Sequence, residues 1–437
     1  MPVRRISTSR VDRTDNYSEM IRAGHGVALL TIALLMVGVL MVNSTGLVLG
    51  ADVPPVTRQS VFLGEPAQHA FLAILALLLG AWFPVSRLGI ARSSLRTPAL
   101  WLCVLGMLFL ILAWVPSVGR SLNASNRWIE LAGVRFQASE LIKWTLPLFL
   151  AWWVTRPSVD LQRFWKGLLP LLILVGIVGA TIAVEDLGTA FLVTVVALAL
   201  LIAAGGRLLH FILLAPIGLL GLIAGILAEP YRVQRLVTFL DPFADPEHSG
   251  WHIIQSLRAI AGGGVLGRGL GAGEQKFDLV SDTTDFIFSI ICEELGLVGA
   301  GLVITAFAAL LWCGFSIVSR PTTVVPPPSG GDASSGAAAA STGLTEQADS
   351  FMRLFGLGIL LTLGFQALFN LLVTTAMVPT KGIALPLISR GGTGWILTAL
   401  FLGLLISIDR ALAASAVPRH SLDSDGPEQA PAGALSS

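Results

Sequence analysis

Ten apolar runs, each near the length that crosses a hydrocarbon core, occupy most of this 437-residue chain and leave two kinds of fold open. They lie at about 26–49, 67–84, 97–115, 139–155, 167–184, 188–205, 208–228, 286–317, 351–377 and 385–408. Inside a bilayer every backbone hydrogen bond must be made within the protein, so a span is a helix or a strand of a closed barrel. Barrel strands alternate in hydrophobicity, and Leu192-Val193-Thr194-Val195-Val196-Ala197-Leu198-Ala199-Leu200 does not. The pattern predicts an all-α integral membrane protein of ten transmembrane helices, with a long extracytoplasmic loop between helices 7 and 8. Composition agrees: 13% of residues are charged, where soluble domains have about a quarter.

Basic residues orient the spans. Five arginines precede the first span (Arg4, Arg5, Arg10, Arg13, Arg22), whereas the next loop holds only Arg58. The positive-inside rule then puts both termini in the cytoplasm and the loop at 229–285 outside. Arg120, Arg127 and Arg135 also fall outside, against the rule. The expected organisation is a cytoplasmic segment (1–25), a membrane domain (26–411) and a cytoplasmic tail (412–437). Residues 319–350, rich in Pro, Ser, Gly and Ala, read as a disordered cytoplasmic linker. The leader is long and polar with no small-residue cleavage site after it, so the first span is expected to stay. Cys103, Cys292 and Cys313 lie within spans at no metal-binding spacing and read as packing residues. No basic patch with interleaved aromatics suggests nucleic acid.

Four polar clusters fall on the predicted outer side. In the first, Ser139 reads as the N-cap of the fourth span, with Glu140 in its first turn and Lys143 placed to meet Glu140 at i, i+3. That ion pair is either structural glue or, with Arg127, the lining of an anionic groove. The second is Glu185-Asp186-Leu187-Gly188-Thr189, a turn into a helix capped by Asp186; a role in binding a hydroxylated or cationic group, or a metal, stays open. The third runs from Tyr231 to Gly271 and includes His252, Gln255 and the run Gly262-Gly263-Gly264. A glycine-rich turn with Arg268 suits an anion, and a flexible hinge explains it equally well. The fourth is Asp285 with Glu293 and Glu294 on one predicted helix, Asp285 and Glu293 about 80° apart around its axis.

In this order the clusters resemble the shape, elongation, division and sporulation family of FtsW, RodA and SpoVE. Arg127-Trp128 with Arg135-Phe136-Gln137-Ala138-Ser139-Glu140 is similar to the family's RW…RFQPSE segment, and Asp186-Leu187-Gly188-Thr189 to its PDLGT turn. Gly250-Trp251-His252-Ile253-Ile254-Gln255-Ser256 and the glycines that follow resemble its long outer loop. Thr284-Asp285-Phe286-Ile287-Phe288 with Glu293-Glu294-Leu295-Gly296 resembles HTDFIFA…EELG. Pro379-Thr380-Lys381-Gly382 through Ser389 and Gly391-Gly392 resembles PTKGLTLPLISYGG, in a form nearer the FtsW and SpoVE branch than RodA. The chain departs from the pattern at Glu185, Ala138 and Arg390, and at Leu279 to Thr283, where a proline, a glutamate and a histidine are missing.

The resemblance implies a peptidoglycan glycosyltransferase that polymerises lipid II beside a class B penicillin-binding transpeptidase, with other division or elongation proteins, at the cytoplasmic membrane. It maps the family's essential aspartate onto Asp285. Transfer from an α-linked lipid pyrophosphate to a β-linked product is a single inversion, which needs one general base and positive charge at the leaving group. Asp285 is the expected base. Arg127, Arg235, Lys381 and Arg390 are cations for the pyrophosphate, and Trp128, Lys143, Asp186, Gln255, Arg268 and Ser389 complete the expected substrate-binding set. No cofactor is certain; a divalent cation (Mg or Mn) suits pyrophosphate, though no dedicated metal cage is visible. A transporter of lipid-linked precursor and a non-catalytic division scaffold remain the alternatives. Crowding of the polar clusters at the outer boundary favours surface chemistry over transport.

Overall fold

The computed structural model describes residues 22–45, 63–89, 96–115, 119–122, 125–131, 134–277, 285–320, 335–380 and 382–415. A helix stands at each of the ten apolar runs. The first is α1 (Ala23–Thr45), followed by α2 (Glu65–Trp82), α3 (Pro98–Leu112) and α4 (Ala138–Val154). Next come α5 (Leu169–Glu185, led in by a π-helical turn at Phe164–Leu168), α6 (Leu187–Ala203) and α7 (Leu208–Leu227). The polar stretch folds as α8 (Pro230–Leu240) and α9 (Trp251–Gly262). The chain then continues through α10 (Ile287–Val318), α11 (Ser335–Thr374) and α12 (Gly392–Ser415).

Seven of these helices are long and apolar enough to cross a membrane unaided, α5 counting with its π turn and α11 from Gly343. The other three, α3, α4 and α6, have 15, 17 and 17 residues. At 1.5 Å per residue, 15 residues fall short of a core about 30 Å thick. The ten expected full spans therefore stand as seven plus three shorter helices among the described residues.

Three local expectations are corrected. Between α3 and α4 the chain forms an antiparallel sheet of β1 (Gly119–Leu122), β2 (Ser125–Leu131) and β3 (Val134–Gln137), with Trp128 paired to Arg120 and Gln137. Its last strand runs straight into α4, so the N-cap is Gln137 and no side chain caps the helix. Ser139, expected there, is buried two positions past the cap, its hydroxyl without a partner. The expected linker is helical from Ser335 onward; its alanines are the strongest helix formers, so α11 reaches 40 residues. The remainder of that linker, 321–334, lies outside the described residues, as do residues 1–21 and the tail from 416.

Close backbone approach fixes the packing. A Cβ at Gly80 of α2 would overlap the Leu400 carbonyl oxygen of α12, and one at Gly403 the Leu77 carbonyl oxygen. Small residues at such a crossing let two spans gain dispersion contacts where no hydrophobic force acts between them. Trp144 of α4 stacks on Phe401 of α12 at 4.9 Å between ring centroids. α7 lies at the periphery with no buried residue.

The glycine-rich loop packs in the same way at Gly263 and Gly267. α10 is broken at Gly296 (φ 67°, ψ −164°), which separates its first turns from the long remainder. A break frees carbonyls before it and N–H groups after it, and each costs several kcal/mol if left unpaired in a bilayer. The loop supplies four partners: Arg268 N donates to Glu293 O (3.0 Å) and Gly269 N to Glu294 O (2.9 Å). In return Leu297 N donates to Gly264 O (3.0 Å) and Val298 N to Val265 O (3.2 Å). A Cβ at Gly263 would overlap the Cys292 carbonyl, and one at Gly267 the Glu294 carbonyl. Glycine is needed here for proximity.

Glu293 and Glu294, expected with Asp285 on one helix, close the same joint instead. Both are fully buried. Glu293 accepts from the backbone N–H of Glu274 (2.9 Å) and Gln275 (3.2 Å). Glu294 accepts from Ser44 Oγ of α1 (2.5 Å) and pairs with Lys276 Nζ (3.2 Å). A Gly296→Ala substitution forces a Cβ into a positive-φ position already occupied by Gly267 N. It should cost about 1–3 kcal/mol and lower the detergent-solubilised melting midpoint; an unchanged midpoint would contradict the stitched-break account.

Candidate active site

One non-helical segment, Gly382 to Gly391, organises the site. It lies between α11 and α12, and the polar groups around it come from α4, α8 and α11. Gln366, Asn370 and Thr374 recur every fourth residue along the otherwise apolar end of α11, so they form one polar stripe. All three are buried. Gln366 Nε2 donates to Ala384 O (2.8 Å), and Asn370 Nδ2 donates both to Ile383 O (2.8 Å) and to Asp285 O (2.9 Å). At the end of the stripe, Ser256 Oγ of α9 donates to Thr374 O (2.7 Å) and lies 2.6 Å from Ser289 Oγ of α10.

Asp285 sits in a turn two residues before α10 begins, with Phe286 in the N-cap position, so it is not the helix residue the sequence suggested. It is half-buried. Its carboxylate lies over Gly382: a Cβ there would come within 3.0 Å of Asp285 Oδ2. The expected Lys143–Glu140 pair is present. Lys143 Nζ lies 2.8 Å from both Glu140 oxygens and 2.7 Å from Gln366 Oε1, so its three donors are all engaged. Through Gln366 this pair is joined to the 382–391 segment, over whose Gly382 the Asp285 carboxylate lies.

Arg235 approaches from α8. Its Nη1 donates to Thr380 O (3.3 Å) and its guanidinium lies 4.3 Å over the Tyr231 ring. The His252 ring stacks on Phe286 (6.0 Å, 17°). Burial, then the nearby Arg235 charge, holds its pKa below the usual imidazole range, so the ring is neutral at pH 7. Gln255, one turn further along α9, is buried with Oε1 unpartnered.

Other expected site residues are placed elsewhere or hold the fold. Asp186 caps α6, accepting from Thr189 N (3.0 Å) and Thr189 Oγ1 (2.9 Å), the capping role the sequence suggested. Arg268 pairs with Glu274 (2.6 Å) and donates to Gly262 O, beside the stitched break. Ser389 Oγ accepts from Leu385 N (2.7 Å), and Ser389 O accepts from Trp395 Nε1 (2.7 Å), closing the turn before α12. In that turn Leu387 adopts φ 63°, a strained value for leucine. Arg390 pairs with Glu65 (2.7 Å) at an exposed surface. Arg127 and Trp128 lie on β2, and Lys381 lies outside the described residues.

Sequence reasoning passed over Gln366 and Asn370, and it gave Gly382 and Arg232 no role of their own. Arg232 of α8 donates to Gly225 O, Ala183 O and Val184 O, tying the ends of α5 and α7 together. The signal for the first two was the four-residue recurrence of polar side chains on an apolar helix. Among the described residues no group of three or more His, Cys, Asp or Glu side chains gathers in a metal-holding arrangement.

A family model described as cell cycle protein (FtsW, RodA, SpoVE) matches residues 26–326 and 338–414. The chain is 35% identical over 388 residues to a probable peptidoglycan glycosyltransferase FtsW of Coxiella burnetii, covering 87% of this chain and 95% of that protein. It is 33% identical over 320 residues to stage V sporulation protein E of Bacillus subtilis, covering 72% and 80%. Among solved structures it is similar to a chain from a peptidoglycan synthase complex that coordinates polymerization and crosslinking (TM-score 0.61, 27% identity, 88% of this chain and 97% of that one). It is also similar to the rod shape determining protein RodA of Thermus thermophilus (TM-score 0.55, 25% identity, 89% and 96%).

The Lys143–Glu140 pair makes a separate demand on stability. Removing one partner leaves a charge beside the core and costs about 3–5 kcal/mol, whereas replacing both with neutral groups costs less. Lys143→Met should therefore lower the melting midpoint more than the Lys143→Met/Glu140→Gln double variant does. A double variant as unstable as the sum of the singles would contradict a coupled pair.

Proposed function

The chain belongs to the cell cycle protein family of FtsW, RodA and SpoVE, and on that premise we infer that it is a multi-pass membrane peptidoglycan glycosyltransferase. In this reading it polymerises lipid II into glycan strands on the outer face of the cytoplasmic membrane. Both termini are cytoplasmic, and the stretch at 229–285 faces outside. A class B penicillin-binding transpeptidase is its crosslinking partner, in a larger division or elongation assembly.

One observation carries the reading: Asp285 is held beside Gly382 in a segment bonded through Gln366 to the Lys143–Glu140 pair. Asp285 is thus fixed by backbone and packing, and in this reading its carboxylate does the chemistry. Asp285 takes the proton from the acceptor hydroxyl as that oxygen forms a bond to the donor's anomeric carbon. The anomeric bond to the lipid pyrophosphate breaks in the same displacement, and the configuration inverts. Arg235, and Arg127 and Lys381 by sequence position, supply positive charge for the departing pyrophosphate. A divalent cation, Mg or Mn, would arrive with the pyrophosphate. Transport is less well supported, because the broken helix at Gly296 has its freed backbone groups occupied by the glycine loop.

Asparagine matches aspartate in size and can still accept hydrogen bonds, but it takes up no proton at neutral pH. Asp285→Asn should therefore insert and fold normally while polymerisation falls by about 10²–10⁴-fold; retained polymerisation would remove Asp285 from the chemistry. For the orientation, a Ser249→Cys variant should be labelled by an impermeant thiol reagent added to intact cells. Labelling only after the cytoplasmic side is opened would reverse the topology.

A further inference from the structure

Asn370 sits at the centre of the site, yet the chemistry just described gives it no part. It is fully buried in α11. Its Nδ2 donates to two carbonyl oxygens, those of Asp285 (2.9 Å) and Ile383 (2.8 Å). Two acceptors on one side of an amide can be satisfied only by its NH2 group, which fixes the side chain's orientation. The consequence is that Asn370 Oδ1 is left buried with no partner. An orphaned buried acceptor is destabilising. The residue thus carries a stability penalty while it joins two stretches of chain distant in sequence.

Those two stretches are the ones whose separation matters. Asp285 ends the outer polar stretch, and Ile383 follows Gly382, over which the Asp285 carboxylate lies. The second observation is independent of the hydrogen bonds. The carboxylate fits at this distance because position 382 has no side chain, and a methyl there would stand 3.0 Å from Oδ2. The segment is held one residue further on as well, by Gln366 at Ala384 O.

We propose that Asn370 is the positioning residue for Asp285: its amide clamps the Asp285 and Ile383 backbones together, so that the carboxylate and the 382–391 segment keep one fixed separation. Gly382 is the counterpart that leaves room for the carboxylate. Asn370 does not touch substrate; it acts through Asp285. The proposal rests on Asp285 being the base.

The test uses the full-length protein with its transpeptidase partner, reconstituted with lipid II, and measures kcat and KM for polymerisation. Asn370→Ala should lower kcat roughly tenfold to hundredfold, the size expected for a displacement of about 1 Å, with KM within about twofold. Thr362→Val removes another buried hydrogen bond from α11, Thr362 Oγ1 to Gly358 O (2.8 Å), and should leave kcat unchanged. Gly382→Ala, which leaves both Asn370 bonds in place, should reproduce the loss in kcat. In the Asn370→Ala/Gly382→Ala variant the losses should fall well short of multiplying, since both act on one separation. Wild-type kcat in Asn370→Ala would overturn the proposal, as would losses that multiply. If Asn370→Ala does not fold, wild-type kcat in Gly382→Ala overturns it equally. The premise is tested apart: an active Asp285→Asn removes the base and the proposal together. An inactive Asp285→Asn beside a fully active Asn370→Ala removes the proposal alone.

Discussion

Non-helical backbone inside a helical membrane domain has to find its hydrogen bonds in the protein, and three stretches of this chain meet that demand together. The break at Gly296 is closed by the glycine loop at 263–269, which exchanges four backbone bonds with it. The segment at 382–391 is held by the amides of Gln366 and Asn370 and by the Ser389 hydroxyl. The turn at Asp285 shares Asn370 with that segment. Each unpaired group would cost several kcal/mol in lipid, far more than the roughly 1 kcal/mol a made hydrogen bond contributes in net terms. Satisfaction of the backbone, more than attraction between helices, therefore dictates how α9, α10, α11 and the 382–391 segment meet.

The same constraint explains why most of the charge in this region is structural. Glu293, Glu294 and Lys276 are buried and spent on the joint around the helix break. Arg232 and Arg268 neutralise or bridge backbone and carboxylate groups. Asp285 differs in kind, because Asn370 holds it by its backbone carbonyl while its carboxylate lies over Gly382. Lys143, buried and saturated by Glu140 and Gln366, sets the position of α4 against the same segment.

The helices were legible in the sequence because an uninterrupted apolar run has few alternatives to a helix in lipid. Asp186 was legible too, since capping is a local act of one side chain on the next turn. Ser139 misled for the opposite reason: β3 feeds α4 without a bend, and the cap position passes to Gln137. The helix from Ser335 was hidden because Ser and Gly among the alanines read as linker composition. Arg268 and the glycine run suggested phosphate because their true partners, the carbonyls of residues 292–294, cannot be guessed from the loop alone. Asn370 was invisible singly and legible only as a member of the stripe with Gln366 and Thr374.

The central claim is that this geometry performs an inverting sugar transfer, and reconstitution of the wild-type chain tests it most directly. Purified with a class B penicillin-binding transpeptidase, the proposed partner, and given lipid II in liposomes, the protein should make long glycan strands that a β-1,4-specific muramidase digests completely. Absence of polymer under those conditions, with the partner shown to be bound, would contradict the account and leave a scaffold of the division machinery in its place.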